Sequence, residues 1–292
     1  MRRVVLLIMV ALWSVPFFVA AVAAEDEQSD VRSLAIDWKD NWLTISDPHI
    51  PGKTVTVYYL EAFCRPGSTN ADWWSETLIP HKTERLADSD GGKTINLLSR
   101  LEDGVRVTHR ISSTADDVSF HLLAENPTTV ESRAHWAQSC IRVDHFTQRG
   151  QKDYIPQCFV FLEGKLTRLP TQPWATEGRL TPGQSYCPKN VPRTDVNPRP
   201  LSSLVTSNGL IGCYSADNQW ILATAWEPYQ ELFQGVAVCI HSDFRIGGLS
   251  PGAKMEIRGK IYITNAGVEK LVARYERDFP EHLSDHSGKS EK

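Results

Sequence analysis

The chain has no cluster of basic residues. Its 31 lysines and arginines stand against 35 aspartates and glutamates, a formal charge of −4 at neutral pH. Without a Lys/Arg-rich face there is nothing to neutralise a phosphate backbone, which excludes a nucleic-acid partner. The chain also lacks a CxxC pair, an HxH or HExxH motif, and any GxSxG elbow or glycine loop set between a strand and a helix, since its GLSPG run leads into a strand. Thiolate zinc motifs, zincins, serine hydrolases and phosphate or dinucleotide binders go with them. His81, His135 and His241 with a carboxylate would suit a divalent ion, but their spacing gives no ligand motif, so neither a metal nor a cofactor is expected. Cysteine is scarce, six residues in 292, far too few for a disulfide scaffold. Cys64 and Cys187 sit in loop-like contexts, FCRPG and SYCPKN, and are the better disulfide candidates. Cys140, Cys158, Cys213 and Cys239 lie in apolar strand-like runs, where buried thiols are as expected as bridges.

What is present begins at the N-terminus. Arg2 and Arg3 precede the apolar run VVLLIMVALWSVPFFVAAV, which ends in AVAA before EDEQSD. This pattern predicts a signal peptide over residues 1–24. An uncleaved anchor is the alternative, but small residues at Ala21 and Ala23, or at Val22 and Ala24, favour cleavage. Removing 24 residues leaves 268 and a formal charge of −6, because two arginines leave with them. The mature protein is expected to be secreted or periplasmic, with no membrane span after signal cleavage, since no later stretch is long enough.

Short β-type runs dominate the rest, among them TVTVYYLEAF, VRVTHRISS, DVSFHLLAEN, SRAHWAQSCIRV, WILATAWEP, GVAVCIHSDF and AKMEIRGKIYIT. Aspartate and glycine turns such as ADSDGG, EDG and SADN separate them. In DVSFHLLAEN a period of two puts Val118, Phe120, Leu122 and Ala124 on one face. About a dozen strands with no interleaved helix predict an all-β chain, a large antiparallel β-supersandwich over residues 25–280. One helix, GVEKLVARYERDF, spaces Val268, Leu271, Val272 and Tyr275 into an apolar stripe that should pack outside a sheet. The polar tail 281–292 reads as disordered. The Pro-rich stretch from Pro170 to Pro200 is too long for an ordinary connection. It is either a binding loop or a pinned surface excursion.

The segment AENPTTVESRAHWAQSCIRV places a titratable His135 beside Trp136 on one strand, after an Asn-Pro-Thr turn. Much later come VCIHSD and LSPG, and then the last long strand. This order resembles the galactose-mutarotase-like, or aldose 1-epimerase-like, β-supersandwich. In that family a strand ending in an Asn-containing turn leads to a strand bearing a histidine before an aromatic. Near its end a glutamate-bearing strand runs into a Leu-x-Pro-Gly turn. Here His135 matches the histidine, while His241 stands near the place of the glutamate, a departure that puts simple mutarotation in doubt. The chain also resembles, over nearly its whole mature length, secreted proteins of planctomycete-type bacteria, a resemblance that brings no activity with it.

Chemistry at a sugar ring needs one group to take a proton and another to give one. His135 and His241 are the candidate acid and base, with Glu227 the carboxylate nearest by segment. A carbohydrate ligand would stack on indole and take hydrogen bonds from amide, guanidinium and carboxylate groups. Trp136, Trp226 and Trp74 are candidates for the first role, and Gln138, Arg142 and Asp243 for the second. Trp38, Trp42 and Trp220 fall at strand periods and read as core. Three readings stand: a carbohydrate-active epimerase, lyase or hydrolase-like enzyme; a non-catalytic glycan-binding module; and a structural envelope protein.

Overall fold

A computed structural model describes residues 32–67, 73–87, 94–171, 185–196, 201–235 and 237–284. The expected signal peptide, much of the 170–200 stretch and the end of the tail lie outside the described residues. So does the side chain of Trp74.

The described residues form seventeen strands: β1 (Ala35–Lys39), β2 (Trp42–Ser46), β3 (Thr54–Cys64), β4 (Leu78–Ile79), β5 (His81–Arg85), β6 (Thr94–Leu101), β7 (Arg106–Ser113), β8 (Asp117–Glu125), β9 (Trp136–Arg142), β10 (Cys158–Leu162), β11 (Lys165–Arg168), β12 (Ser185–Tyr186), β13 (Ile211–Tyr214), β14 (Ile221–Glu227), β15 (Tyr229–Gln234), β16 (Cys239–Arg245) and β17 (Lys254–Thr264). Short α1 (Asp144–Thr147) follows β9. Two helices, α2 (Val268–Asp278) and α3 (Glu281–Ser284), end the described chain. One sheet runs β1-β2-β3-β9-β16-β15-β12, with β4 joined to β3. The other runs β11-β10-β13-β14-β17-β8-β7-β6-β5. Every ladder between named strands of either sheet is antiparallel, which makes the all-β supersandwich a finding.

The alternation read from DVSFHLLAEN holds. Val118, Phe120, Leu122 and Ala124 face a core that also takes Leu43, Ile45, Val57, Ile141, Ile240 and Phe244 from the opposite sheet. α2 lies on the outer face of the second sheet, with Leu271, Tyr275 and Phe279 against Phe159, Phe161, Ala223 and Tyr262. Burying Leu271 alone contributes roughly 1.5–3 kcal/mol. No helix of the described residues is long and apolar enough to cross a membrane.

Three expectations change. The tail does not end its order at Pro280, because α3 follows and His282 is buried between Tyr275 and Glu227, hydrogen-bonded to both. Cys64 and Cys187 are buried free thiols, as are the other four cysteines. Cys64 sits under Trp136, whereas Cys187 belongs to a separate cluster with Val191 and Val196. Trp42 is 40% exposed and stacks on Tyr58 at 4.9 Å, outside the core.

Trp226 fills the space between the sheets against Phe120 and Phe244. It rests directly on the backbone of β17, where a β-carbon at Gly259 would lie 2.4 Å from its ring. Gly259→Ala should therefore cost about 1–3 kcal/mol through overpacking. An unchanged urea midpoint would show that the indole has room to spare.

His109 joins the two sheets. Its Nδ1 meets the Tyr59 hydroxyl at 2.8 Å and its Nε2 meets Ser99 Oγ at 2.9 Å. Burial holds it neutral, with its pKa lowered to about 3. The unfolded chain takes up the proton near pH 6.5 while the folded one does not, so stability present above pH 6.5 is lost as pH falls toward 3. In His109→Gln the pH slope of unfolding free energy between pH 6 and 4 should shrink by about 1.4 kcal/mol per pH unit. Identical slopes for the two proteins would contradict this assignment.

Candidate functional site

The two segments singled out in the sequence interlock. Asn126, buried after β8, donates from Nδ2 to the carbonyls of Val130 and Leu249, at 2.8 and 2.7 Å. Its own carbonyl accepts from Gly252 N, and Ser132 N donates to Leu249 O. The Asn-Pro turn and the LSPG turn thus form one knot, whose buried polar groups are paired. His135 leaves this knot with its backbone fixed from both sides. Its N–H donates to Cys64 O, and its carbonyl accepts from Ile246 and Gly247.

The side chain of His135 is then oriented by a residue from the Pro-rich stretch. Nδ1 lies 3.1 Å from Oδ2 of Asp195, and that same oxygen accepts from Arg245 Nη1 at 3.1 Å. Gly67 N donates to the other oxygen at 3.2 Å. Gln230 completes the set, accepting from Arg245 at 2.6 Å and donating to the Asp195 carbonyl at 2.6 Å. The Asp195 side chain is 4% exposed and the His135 ring 23% exposed. A carboxylate that can only accept fixes the imidazole with its proton on Nδ1. Nε2 is left as a basic lone pair that makes no hydrogen bond to a described residue. Beside Gly67 opens a cavity of about 510 Å³, lined also by Arg65, Pro66, Ser75, Glu76 and Arg133.

His241 has a different setting. The β16–β9 register pairs Cys239 with Arg142 and Arg245 with Trp136, which puts His241 across from Cys140. His135, next to Trp136, is five residues from that position, about 16 Å at ~3.3 Å per residue. The two histidines therefore do not form one acid–base pair. His241 is fully buried and stacked on Phe233 at 4.2 Å, with Gln138 Nε2 3.2 Å and Asp243 Oδ1 3.5 Å from Nδ1. Burial opposes its cationic form. The negative Cys239 sulfur and the Asp243 carboxylate nonetheless raise its pKa to about 10. Asp243 rises to about 6, chiefly through burial. Cys140, Cys239 and His241 bring their ligand atoms within 4.8 Å of one another.

Of the expected site residues, Gln138, His241 and Asp243 meet, and His135 stands apart with Asp195. Trp136 is fully buried with Ala62 and Cys64, so it offers no stacking face. Trp226 is in the core between the sheets. Glu227 lies on the second sheet, committed to His282, because β14 belongs to the sheet that carries α2 and α3 and not to the one carrying β9. Arg142 does reach a surface, in a hollow of about 290 Å³ with Trp42, Thr54, Thr56, Asp144 and His145. His81 is on β5, edge-on to Phe63, and meets neither other histidine. A further hollow of about 540 Å³, lined by Asn96, Arg110, His121 and Glu256 among others, lies on the second sheet and takes in none of the expected site residues. Asp195, Arg245, Arg65 and Arg133 were missed from sequence. The one signal was that the loop holding Asp195 is too long for a plain connection.

No family model and no curated protein matches the chain. Among solved structures, the Slr1438 protein from Synechocystis shares 8% identity over 80% of this chain and 96% of its own, with a TM-score of 0.45. A galactose mutarotase-like protein from Lactobacillus casei shares 7% over 79% and 100%, with a TM-score of 0.41. One from Clostridium acetobutylicum shares 10% over 79% and 94%, with a TM-score of 0.36. At these scores the likenesses carry no residue roles to this chain.

Replacing Asp195 tests whether it organises the site. Asp195→Ala strips Arg245 of its carboxylate partner and should lower stability by about 3–5 kcal/mol, read from urea denaturation. A variant with an unchanged midpoint would mean that the network is incidental.

Proposed function

We propose that the protein is an exported carbohydrate-processing protein that moves a proton at an acidic sugar held beside His135. The observation that carries this reading is the His135–Asp195 pair, its imidazole partly exposed and its carboxylate bonded to Gly67, which lines a cavity bearing Arg65 and Arg133. A proton next to a sugar carboxylate becomes acidic enough to remove only when the carboxylate charge is offset, and a guanidinium offers the planar, paired donors that do so. His135 Nε2 takes that proton as general base, and Asp195 stabilises the imidazolium that results. Loss of a leaving group from the neighbouring carbon gives elimination. Return of the proton to the opposite face gives epimerisation, for which Glu76 or Ser75 lines the same cavity.

The test is turnover of uronate-containing polysaccharides, followed by the ultraviolet absorbance of unsaturated uronate and by NMR of the epimer ratio. His135→Gln should lose about 10²-fold or more in turnover while binding and the unfolding midpoint hold. Arg133→Ala should raise KM. Unaltered turnover in His135→Gln would remove it as the base.

A second reading, a non-catalytic glycan-binding module, is favoured by a different observation: the exposed Trp42 ring stacked on Tyr58 next to Arg142. In calorimetric titration against neutral and acidic oligosaccharides, Trp42→Ala would then weaken binding by about tenfold or more. Binding unchanged in that variant removes this reading.

A further inference from the structure

The outer face of the first sheet carries a cluster that the His135 site does not use. Cys239 and His241 are two apart on β16, so the strand period puts both on one face. The register sets Cys140 of β9 directly across from His241. Both sulfurs and the imidazole are buried, and all three ligand atoms lie within 4.8 Å of one another, with Cys239 Sγ 3.3 Å from His241 Nε2. We propose that Cys140, Cys239 and His241 hold a zinc-type divalent ion that clamps β9 to β16.

Geometry, charge and support agree on this. Around a tetrahedral ion with bonds of about 2.3 Å to sulfur and 2.0–2.1 Å to nitrogen, neighbouring ligand atoms stand roughly 3.5–3.8 Å apart. Cys239 Sγ and His241 Nε2 stand 3.3 Å apart, and the Cys140 sulfur lies within 4.8 Å of both. A disulfide fits less well. Cys140 and Cys239 are diagonal neighbours, whose β-carbons stand roughly 7 Å apart in a regular ladder, against the ~3.5–4.5 Å a disulfide needs. Once an ion displaces their protons, two thiolates and a neutral imidazole would carry two negative charges in a buried site, which a divalent soft cation cancels and a monovalent one does not.

The surroundings hold His241 as a ligand is held. Its Nδ1 faces Asp243 and Gln138, and its ring is fixed flat on Phe233. With Nδ1 turned to these side chains, the opposite ring nitrogen is the one that meets the Cys239 sulfur. Opposite the cluster the chain has Gly235. A β-carbon there would lie 2.1 Å from Cys239 Sγ and 3.0 Å from His241 Nε2. Tyr154 pins that glycine through a 2.8 Å hydrogen bond from its hydroxyl to the Gly235 carbonyl. The backbone approaches the ligand atoms so closely that no side chain fits between.

The experiment uses the full chain, reduced and stripped with a chelator, then titrated with Co²⁺ and afterwards with Zn²⁺. The expected result is one Co²⁺ per chain, with thiolate-to-cobalt charge-transfer bands and the intense visible bands of a tetrahedral site, displaced by one equivalent of Zn²⁺. In Cys239→Ser the charge-transfer intensity should fall by about half and the affinity by tenfold or more. The proposal is overturned if the folded wild-type protein takes up neither ion stoichiometrically, or if Cys239→Ser keeps the wild-type charge-transfer intensity. It is overturned equally if Cys140 and Cys239 of the native protein resist alkylation until reduced. The wild-type titration decides the matter even if a cysteine variant fails to fold, and its outcome is independent of the His135 chemistry.

Discussion

The pairing of β9 with β3 on one side and β16 on the other is the constraint on which both buried clusters depend. A strand has a period of two, so fixing the register of β9 sends Ala137 and Ile141 into the inter-sheet core. The same register sends Trp136, Gln138, Cys140 and Arg142 to the outer face. A slip of one residue would reverse every one of these placements. The knot of Asn126 with the Leu249 turn holds that register at the end where His135 enters. The bonds from Cys64, Ile246 and Gly247 to the His135 backbone hold it from both neighbouring strands.

Two histidines near this pairing, His135 just before β9 and His241 on β16, have acquired opposite surroundings. His135 meets a buried carboxylate with one nitrogen and leaves the other without a hydrogen bond to a described residue, while Asp195 is tied through Gly67 to the arginine-lined cavity. His241 has an aromatic ring under it, two polar side chains at Nδ1 and two sulfurs near Nε2, with no exposure to speak of. An imidazole so completely enclosed is out of reach of any substrate with which it could exchange a proton. The loss of the sequence-based pairing of the two histidines therefore follows from burial as well as from distance.

The fold was legible in the chain because alternation is local. DVSFHLLAEN declares its inward face without knowledge of any partner, and α2 declares its stripe. The importance of AENPTTVESRAHW was legible too, since a turn of that kind followed by a histidine is compact in sequence. What was hidden depends on contacts across long separations. Asp195 meets His135 across a sequence separation of 60, from a stretch whose only mark was its length. Glu227 and Trp226 shared a segment that seemed to belong with the histidines, yet β14 lies in the other sheet, and segment proximity says nothing of that. Trp42 follows the period of a core strand, but β2 lies near the sheet edge and the tryptophan is on its outward face. The C-x-H spacing of Cys239 and His241 was visible, but its third member on β9 could be joined only once the register was known.

The central claim, that His135 and not His241 faces the ligand, is tested most directly by long-range ¹H–¹⁵N NMR of the histidine rings during titration with an acidic oligosaccharide. The account predicts a His135 ring protonated at Nδ1 whose Nε2 resonance moves as the sugar is added, while the His241 signals stay fixed. A His135 ring that carries its proton on Nε2, or that stays still while His241 moves, would contradict it.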